Sequence, residues 1–280
     1  MKVINNPQAL SKALKQYKLK NKTIGLVPTM GALHQGHLSL IRGARRDNEC
    51  VVVSIFVNPT QFGPKEDLKS YPRPVSKDLS LCRDEGVDIV FNPSVQVMYP
   101  EDFCTYIEVG GLSNLLCGKS RPKHFRGVAT VVAKIFNIVQ PDVVYFGQKD
   151  AQQAVIVKKM AEDLNFPLEA KVMPTVREES GLALSSRNVY LSKPEKEEAL
   201  VLSESLRLAR GLIKGGNNDA REIINFIRNM IKAKRDAKID YIAIVDSESL
   251  QPVKKIKNQT LIALAVYIGK TRLIDNIIIN

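Results

Sequence analysis

The sequence predicts an α/β fold: a Rossmann-like parallel sheet with helices on both faces, followed by a smaller α+β domain at the C-terminal end. Short apolar runs with the length of buried strands alternate with helical stretches up to about residue 176. Beyond it, two long helical stretches are followed by two apolar strands. We therefore expect a first domain over residues 1–176 and a second over residues 177–280.

The order of the individual elements supports this interpretation. In the first domain we predict a helix over 7–18, a strand over 24–27, a helix beginning at Leu38, a strand over 51–57, a helix over 76–86, strands over 88–92 and 105–109, a helix over 127–140, a strand over 142–146, a helix over 151–164 and a strand over 168–173. In the second domain we predict helices over 193–213 and 218–234 and strands over 241–245 and 261–268. Ser76 is expected to cap its helix and Gly86 to end it. Residues 64–75 are proline-rich and charged, which predicts a mobile surface segment.

Composition excludes several classes of protein. The 280 residues carry a formal net charge of +12, but the lysines are scattered and no basic stretch is interleaved with aromatic residues. This favours solvated helix faces over a nucleic-acid surface. The four cysteines form no Cys-x-x-Cys pair, which argues against a zinc site and predicts a reducing compartment.

The hydropathy pattern shows neither a signal peptide nor a run of about 18 apolar residues that could span a bilayer. We expect a cytoplasmic protein with no membrane partner and no nucleic-acid partner.

The most informative stretch is residues 24–41, IGLVPTMGALHQGHLSLI. A short apolar run predicts a strand, Pro28 to Gly31 break it, and His34-Gln35-Gly36-His37 leads into a helix. The start of a helix offers free backbone N–H groups and a positive dipole end, which suit a phosphate. Two of the three histidines of the chain lie here and could donate to phosphate oxygens. The alternative is an ordinary helix N-terminus with two half-exposed histidines.

Neither of the two common glycine-rich nucleotide motifs is present. The His-x-Gly-His sequence after the first predicted strand instead resembles the nucleotidyltransferase superfamily. Further motifs narrow this resemblance, and they occur in the order PTMGALHQGH at 28–37, FVNPTQF at 56–62, YPR at 71–73, RPKHFRGV at 121–128, FGQKDAQQ at 146–153 and SGLALSSRN at 180–188. Together they resemble the pantoate–β-alanine ligase family over most of the chain. Lys123 and Ser180 depart from residues that are common in that family.

The resemblance implies an ATP-dependent condensation of pantoate with β-alanine through pantoyl adenylate, releasing AMP and diphosphate. It implies that the first domain binds ATP and pantoate and that the second closes over the site. The residues expected at ATP are Met30, Gly31, His34, His37, Gly147, Lys149, Asp150, Val176, Leu184, Ser185, Ser186 and Arg187. His34 and His37 would be catalytic, with His37 as the proton donor.

Gln61 and Gln153 are expected to bind the substrates pantoate and β-alanine, because an amide can pair with both hydroxyls and a carboxylate. No residue is predicted as a dedicated metal ligand, although Mg²⁺ is expected with ATP. The resemblance also implies a homodimer. A hypothesis added to these is that the segment from Gly63 to Arg73 closes over the site as a lid.

Several alternatives remain open at this stage. Gln61 and Gln153 could be ordinary surface residues, Lys149 and Asp150 a charged turn, and Ser185 to Arg187 a polar linker. The chain could instead be another His-x-Gly-His nucleotidyltransferase that activates a different small acid. An RNA-binding module or synthetase fragment is a third possibility, suggested only by the net charge.

Overall fold

The structure is a computed structural model that describes residues 1–64 and 66–280. A six-stranded parallel sheet is formed by β1 (Lys2–Ile4), β2 (Ile24–Thr29), β3 (Cys50–Ile55), β4 (Ile89–Phe91), β5 (Val143–Gly147) and β6 (Glu169–Met173), in the spatial order β1-β4-β3-β2-β5-β6. The helices that accompany it are α1 (Pro7–Lys18), α2 (Gln35–Asp47), α3 (Val75–Asp84), α4 (Val95–Met98), α5 (Cys117–Ser120), α6 (His124–Val139) and α7 (Ala151–Asp163). The predicted Rossmann-like sheet is confirmed.

The central strands β2 and β3 are buried on both faces because their apolar residues alternate between two cores. Leu26 and Val52 belong to the core that α1, α6 and α7 cover. Their neighbours Val27 and Val53 belong to the core on the other face, which α2 covers. Successive residues of a strand point to opposite faces, so an almost wholly apolar strand needs helices on both sides.

The order of the strands determines where a ligand can bind. The chain runs from β2 outward to β3 and β4, and then returns to β5 on the other side of β2. Such a reversal leaves a crevice beyond the carboxyl ends of the two central strands. The loops that follow β2 and β5 therefore meet there, as the polar clusters in the sequence predict.

The C-terminal part contains a second sheet, which is antiparallel. Helices α8 (Lys193–Lys214) and α9 (Ala220–Lys232) pack with β7 (Ala237–Asp246), β8 (Thr260–Ile268) and β9 (Thr271–Ile279) around an apolar core of their own. The α+β character predicted for this region is confirmed. None of the helices in the two described ranges is both long and apolar enough to cross a membrane.

The structure corrects several local predictions. No strand forms over 105–109, because the Ile107 N–H donates to the Thr130 hydroxyl of α6 (2.9 Å) instead of joining a ladder. Ser76 does not cap α3, which begins one residue earlier, and the Asp78 N–H donates to the Pro74 carbonyl (3.0 Å). Gly86, with a φ of +71°, follows the end of α3 as expected.

Two strands, β1 and β9, were not predicted. Lys65, which belongs to the predicted mobile segment 64–75, lies outside the described residues.

Candidate active site

The two histidines cap α2 and hold each other in one orientation. His34 is the N-cap, and its Nδ1 accepts from the Gly36 N–H (3.1 Å). His37 Nδ1 accepts in turn from the His34 N–H (3.4 Å), and the two rings lie 4.1 Å apart between centroids. Because each Nδ1 is an acceptor, the ring proton of each neutral histidine is on Nε2. The two histidines therefore do cap the helix, as the alternative interpretation expects. Both Nε2–H groups remain as donors that can face a ligand.

The charge state of the pair follows from its surroundings. Burial, together with the positive charge of Lys149, lowers the pKa of His34 to about 4. Burial, with added effects of His34 and Lys149, lowers the pKa of His37 well below its usual value. Both imidazoles are therefore neutral at pH 7 in the free protein. They can donate to phosphate oxygens as neutral groups, and a bound polyphosphate would favour their protonation.

The turn after β5 carries the second group of predicted residues. Gln148–Asp150 form a short 3-10 turn between β5 and α7. Lys149 and Asp150 both line the cleft, with the Lys149 Nζ 4.0 Å from the Asp150 carboxylate. Because β5 lies beside β2, this turn faces the histidines across the crevice.

A hairpin between the two sheets supplies the third group. The Leu184 N–H donates to the Val176 carbonyl (3.0 Å), which brings these two predicted residues together at the cleft. The Ser185 Oγ accepts from the Arg187 N–H (3.2 Å) and caps the next 3-10 turn. The Ser186 hydroxyl donates to the carbonyl of Ala32 (3.3 Å), which joins the hairpin to the loop before the histidines.

Arg187 does not lie free in the cleft. Its guanidinium donates two hydrogen bonds to the Asp67 carboxylate, both at 2.8 Å. A second pair of the same kind joins Arg121 to Glu66 (2.8 and 2.5 Å). These two bidentate arginine–carboxylate pairs connect Asp67 to Arg187 in the wall of the cleft and Glu66 to Arg121 in an adjoining pocket.

The two predicted glutamines differ in how they are held. Gln61 is 8% exposed, accepts from Asn58 Nδ2 (3.1 Å) and donates to the Met30 sulfur (2.9 Å). Gln153 also lines the cleft, and its side chain makes no hydrogen bond within residues 1–64 and 66–280. Its amide is therefore available to a ligand.

All of the predicted site residues except one line a single cleft. The exception is Gly31, which has a φ of +78° and faces Asp78, where an added Cβ would lie 2.8 Å from the carboxylate. Gly31 instead contributes to a neighbouring hollow that also contains Asp78.

Three side chains that support the site were not predicted, namely Asp78, Asn58 and His124. Asp78 accepts from the N–H groups of Ala32 and Leu33 (both 2.8 Å) and so holds the loop before the histidines. The motif FVNPTQF contains Asn58, and RPKHFRGV contains His124, so the sequence held a signal for both. Asp78 lies 46 positions from Ala32, and no pattern in the sequence connects them.

Asn58 and His124 both act on the turn that contains Gln61. Asn58 is 1% exposed, and its Nδ2 also donates to the Gly127 carbonyl (3.0 Å). His124 Nδ1 donates to the Gln61 carbonyl (2.7 Å). A Cβ on Gly127 would lie 2.4 Å from the Thr60 carbonyl oxygen, so only glycine lets α6 approach this turn.

No group of three or more histidine, cysteine, aspartate or glutamate side chains in the described ranges could hold a metal ion.

The comparisons with known proteins agree with this geometry. A profile of the pantoate-beta-alanine ligase family matches residues 2–278. Proteins named pantothenate synthetase from Acetivibrio thermocellus and Thermotoga neapolitana are 53% and 52% identical to the chain, each over 100% of both sequences.

Solved structures give the same result. The crystal structure of pantothenate synthetase from Thermus thermophilus superposes with a TM-score of 0.94 at 45% identity and covers 99% of both chains. That of pantoate-beta-alanine ligase from Francisella tularensis, complexed with beta-gamma ATP and beta-alanine, superposes with a TM-score of 0.82 at 38% identity, covering 99% of this chain and 97% of the other. The chain therefore belongs to the pantoate–β-alanine ligase family.

Proposed function

We propose that the chain condenses (R)-pantoate with β-alanine at the expense of ATP, releasing AMP and diphosphate. The observation that carries this proposal is the convergence of three polar groups on one cleft in a member of the ligase family. The histidine pair, Lys149 and the Ser185–Arg187 segment suit the phosphates, and the two glutamines suit a hydroxy acid. No observation favours a different acid or an RNA.

The first step forms the adenylate. A carboxylate oxygen of pantoate attacks the α-phosphorus of ATP, and the bond from that phosphorus to the bridging oxygen of diphosphate breaks. Negative charge moves onto the leaving diphosphate, so donors that are already in place lower the barrier. His34 and His37 provide such donors at Nε2, and His37 is proposed to transfer the proton. Lys149 supplies a positive charge, and Asp150 is proposed to accept from the ribose hydroxyls.

The second step forms the amide. The amine of β-alanine attacks the acyl carbon, the bond to the AMP oxygen breaks, and the amine loses a proton. The Gln153 amide makes no hydrogen bond to any residue that the structure describes, whereas the Gln61 amide is held by two hydrogen bonds. We propose that both orient pantoate so that its carbonyl stays open to the amine. Backbone groups near Met30, Val176 and Leu184 are proposed to contact ATP.

Binding of ATP is proposed to change the pairing of Arg187. In the free protein its guanidinium is occupied by Asp67, and it has to exchange that carboxylate for phosphate oxygens before it can bind diphosphate. With Asp67 released, the pair between Glu66 and Arg121 would remain, and we propose that residues 66–73 of the predicted lid then close over the adenylate and exclude water. Trypsin cleavage at Lys69 tests this, because a lid that closes over bound ATP and pantoate should be cleaved more slowly than the same segment in the free protein. An unchanged rate with and without ATP and pantoate would contradict the lid.

The remaining features are proposed on the family resemblance. Mg²⁺ would enter as the MgATP complex and balance the phosphate charge. Residues 1–176 would bind ATP and pantoate, and residues 177–280 would close over them. We also propose a cytoplasmic homodimer, for which light scattering of the purified protein would give the mass.

The experiment that tests the proposed function measures AMP release from MgATP, with pantoate and β-alanine each omitted in turn. AMP and pantothenate formed only with both acids present are the expected result. AMP release that is independent of either acid would contradict the assignment, and pyrophosphate exchange with other carboxylates would then identify the acid that is activated.

A further inference from the structure

A buried asparagine of the C-terminal sheet holds the turn that carries Lys149. Asn276 lies on β9 and is 5% exposed. Its Nδ2 donates to the carbonyls of Gln148 and Lys149, both at 2.9 Å, and its Oδ1 accepts from the Gln148 Nε2 at 2.9 Å. These bonds join residues that are separated by 128 and 127 positions in the sequence, so only the folded chain can form them.

The turn that Asn276 holds is short. Gln148–Asp150 is a three-residue 3-10 turn between β5 and α7, and such turns have poorer hydrogen-bond geometry than an α-helix. Lys149 lies close enough to the histidine pair to lower the pKa of both His34 and His37. A displacement of this turn would therefore move the Lys149 ammonium relative to the histidines.

The chemistry of position 276 argues against a role in packing alone. Asn276 pairs with Ala263 in a sheet of mostly apolar residues, where an apolar side chain would avoid the loss of amide solvation. All three bonds of its side-chain amide go to the turn. The preceding residue, Asp275, is 2% exposed and forms a bidentate pair with Arg177 (2.6 and 2.8 Å), at the base of the hairpin that leads to Leu184. Two consecutive residues of β9 thus support two walls of the cleft.

We propose that Asn276 is a positioning residue that sets Lys149 for the phosphates of ATP from the C-terminal sheet. This inference rests on the proposed role of Lys149 in ATP binding. Asn276 does not touch the substrate, and it acts through the carbonyls of the turn.

Calorimetric titration with MgATP, without pantoate, tests the proposal on four variants: Asn276→Ala, Lys149→Ala, the double variant, and Thr260→Val as a matched control. Thr260 is a buried polar residue of the same sheet, three positions along β8 from Ala263, and its Oγ1 accepts from the Lys257 N–H (3.2 Å) and not from the turn. We expect Asn276→Ala to raise the Kd of MgATP about tenfold because several hydrogen bonds are lost. The double variant should bind no more weakly than Lys149→Ala, and Thr260→Val should bind as the wild type does.

The outcomes separate this inference from the proposed function. If Lys149→Ala weakens binding but Asn276→Ala does not, or if the two effects add, the positioning role is overturned and the function stands. If Lys149→Ala binds MgATP normally, the role of Lys149 fails and the inference fails with it. If Asn276→Ala does not fold, Gln148→Ala removes one of the three bonds at a partly exposed position and should raise the Kd about threefold. An unchanged Kd there would overturn the positioning role.

Discussion

The buried environment of His124 predicts a loss of stability in mild acid. His124 Nδ1 donates to the Gln61 carbonyl (2.7 Å), and its Nε2 accepts from the Arg121 guanidinium (3.2 Å). A proton added at Nε2 would face that guanidinium. Burial, and next the charge of Arg121, lower the pKa of His124 to about 4, with Glu66 acting in the opposite direction.

The magnitude follows from the two pKa values. The unfolded histidine has a pKa of 6.5 and the folded one a pKa of about 4, so the unfolded state binds more protons between these values. The free energy of unfolding therefore falls as the pH falls through that window. At pH 5, protonation stabilises the unfolded state by about 2 kcal/mol and the folded state by far less. His124 should thus account for a loss of about 2 kcal/mol between pH 8 and pH 5.

Urea unfolding followed by circular dichroism at pH 8 and pH 5 measures this loss. The variant His124→Asn keeps a donor for the Gln61 carbonyl and removes the titrating group. The pKa of His34 is also lowered to about 4, so His34 lowers the free energy of unfolding over the same pH range in both proteins. Its contribution therefore cancels in the comparison. We expect the loss between the two pH values to be about 2 kcal/mol smaller in the variant. Equal losses in the two proteins would refute the reasoning, and the difference at pH 8 gives the separate cost of the substitution.

Three further predictions concern the cleft and its support. His37→Ala should lower kcat by about 10²–10⁴-fold, while Gln35→Ala at the exposed neighbouring position should leave the rate of pantothenate formation unchanged; a near-wild-type rate for His37→Ala would contradict its role. Gln153→Ala should raise the KM for pantoate and leave the KM for ATP within about twofold, and the reverse pattern in initial rates would assign the amide to the nucleotide. Asp275→Asn leaves the Arg177 guanidinium without its charge partner and should lower the free energy of unfolding by about 2–4 kcal/mol, near the lower end because Arg177 is partly exposed. A loss below about 1 kcal/mol in urea unfolding would show that the pair contributes little.

The central strands illustrate what can be predicted from local sequence. The run VVVSIFV is apolar at nearly every position, and such a run is stable only when both faces are covered, so its place in a parallel sheet could be predicted. The edge strand β1 has three residues and β9 has the polar residues Asp275 and Asn276 at its centre. Neither sequence pattern indicates a strand by itself. Hydrogen bonds to β4 and β8, which lie elsewhere in the chain, stabilise β1 and β9 as strands.

The same distinction holds within the site. His34 and His37 are three positions apart, so their reciprocal capping is a local property of the tetrapeptide. The motifs also indicated which loops meet, because loops at the carboxyl ends of neighbouring parallel strands converge. By itself the sequence determined the alternation of strands and helices, the capping of α2 by its two histidines, and which residues form the polar clusters at the ends of the strands.

Only the tertiary structure decided how those clusters are held. Arg187 meets Asp67 across 120 positions, and Asn276 meets Lys149 across 127. Gly31 lies outside the cleft and faces Asp78, which is distant in the chain and holds this loop through the N–H groups of Ala32 and Leu33. Hydrogen bonds between positions so far apart leave no periodic pattern, since any donor and acceptor can pair once packing brings them together.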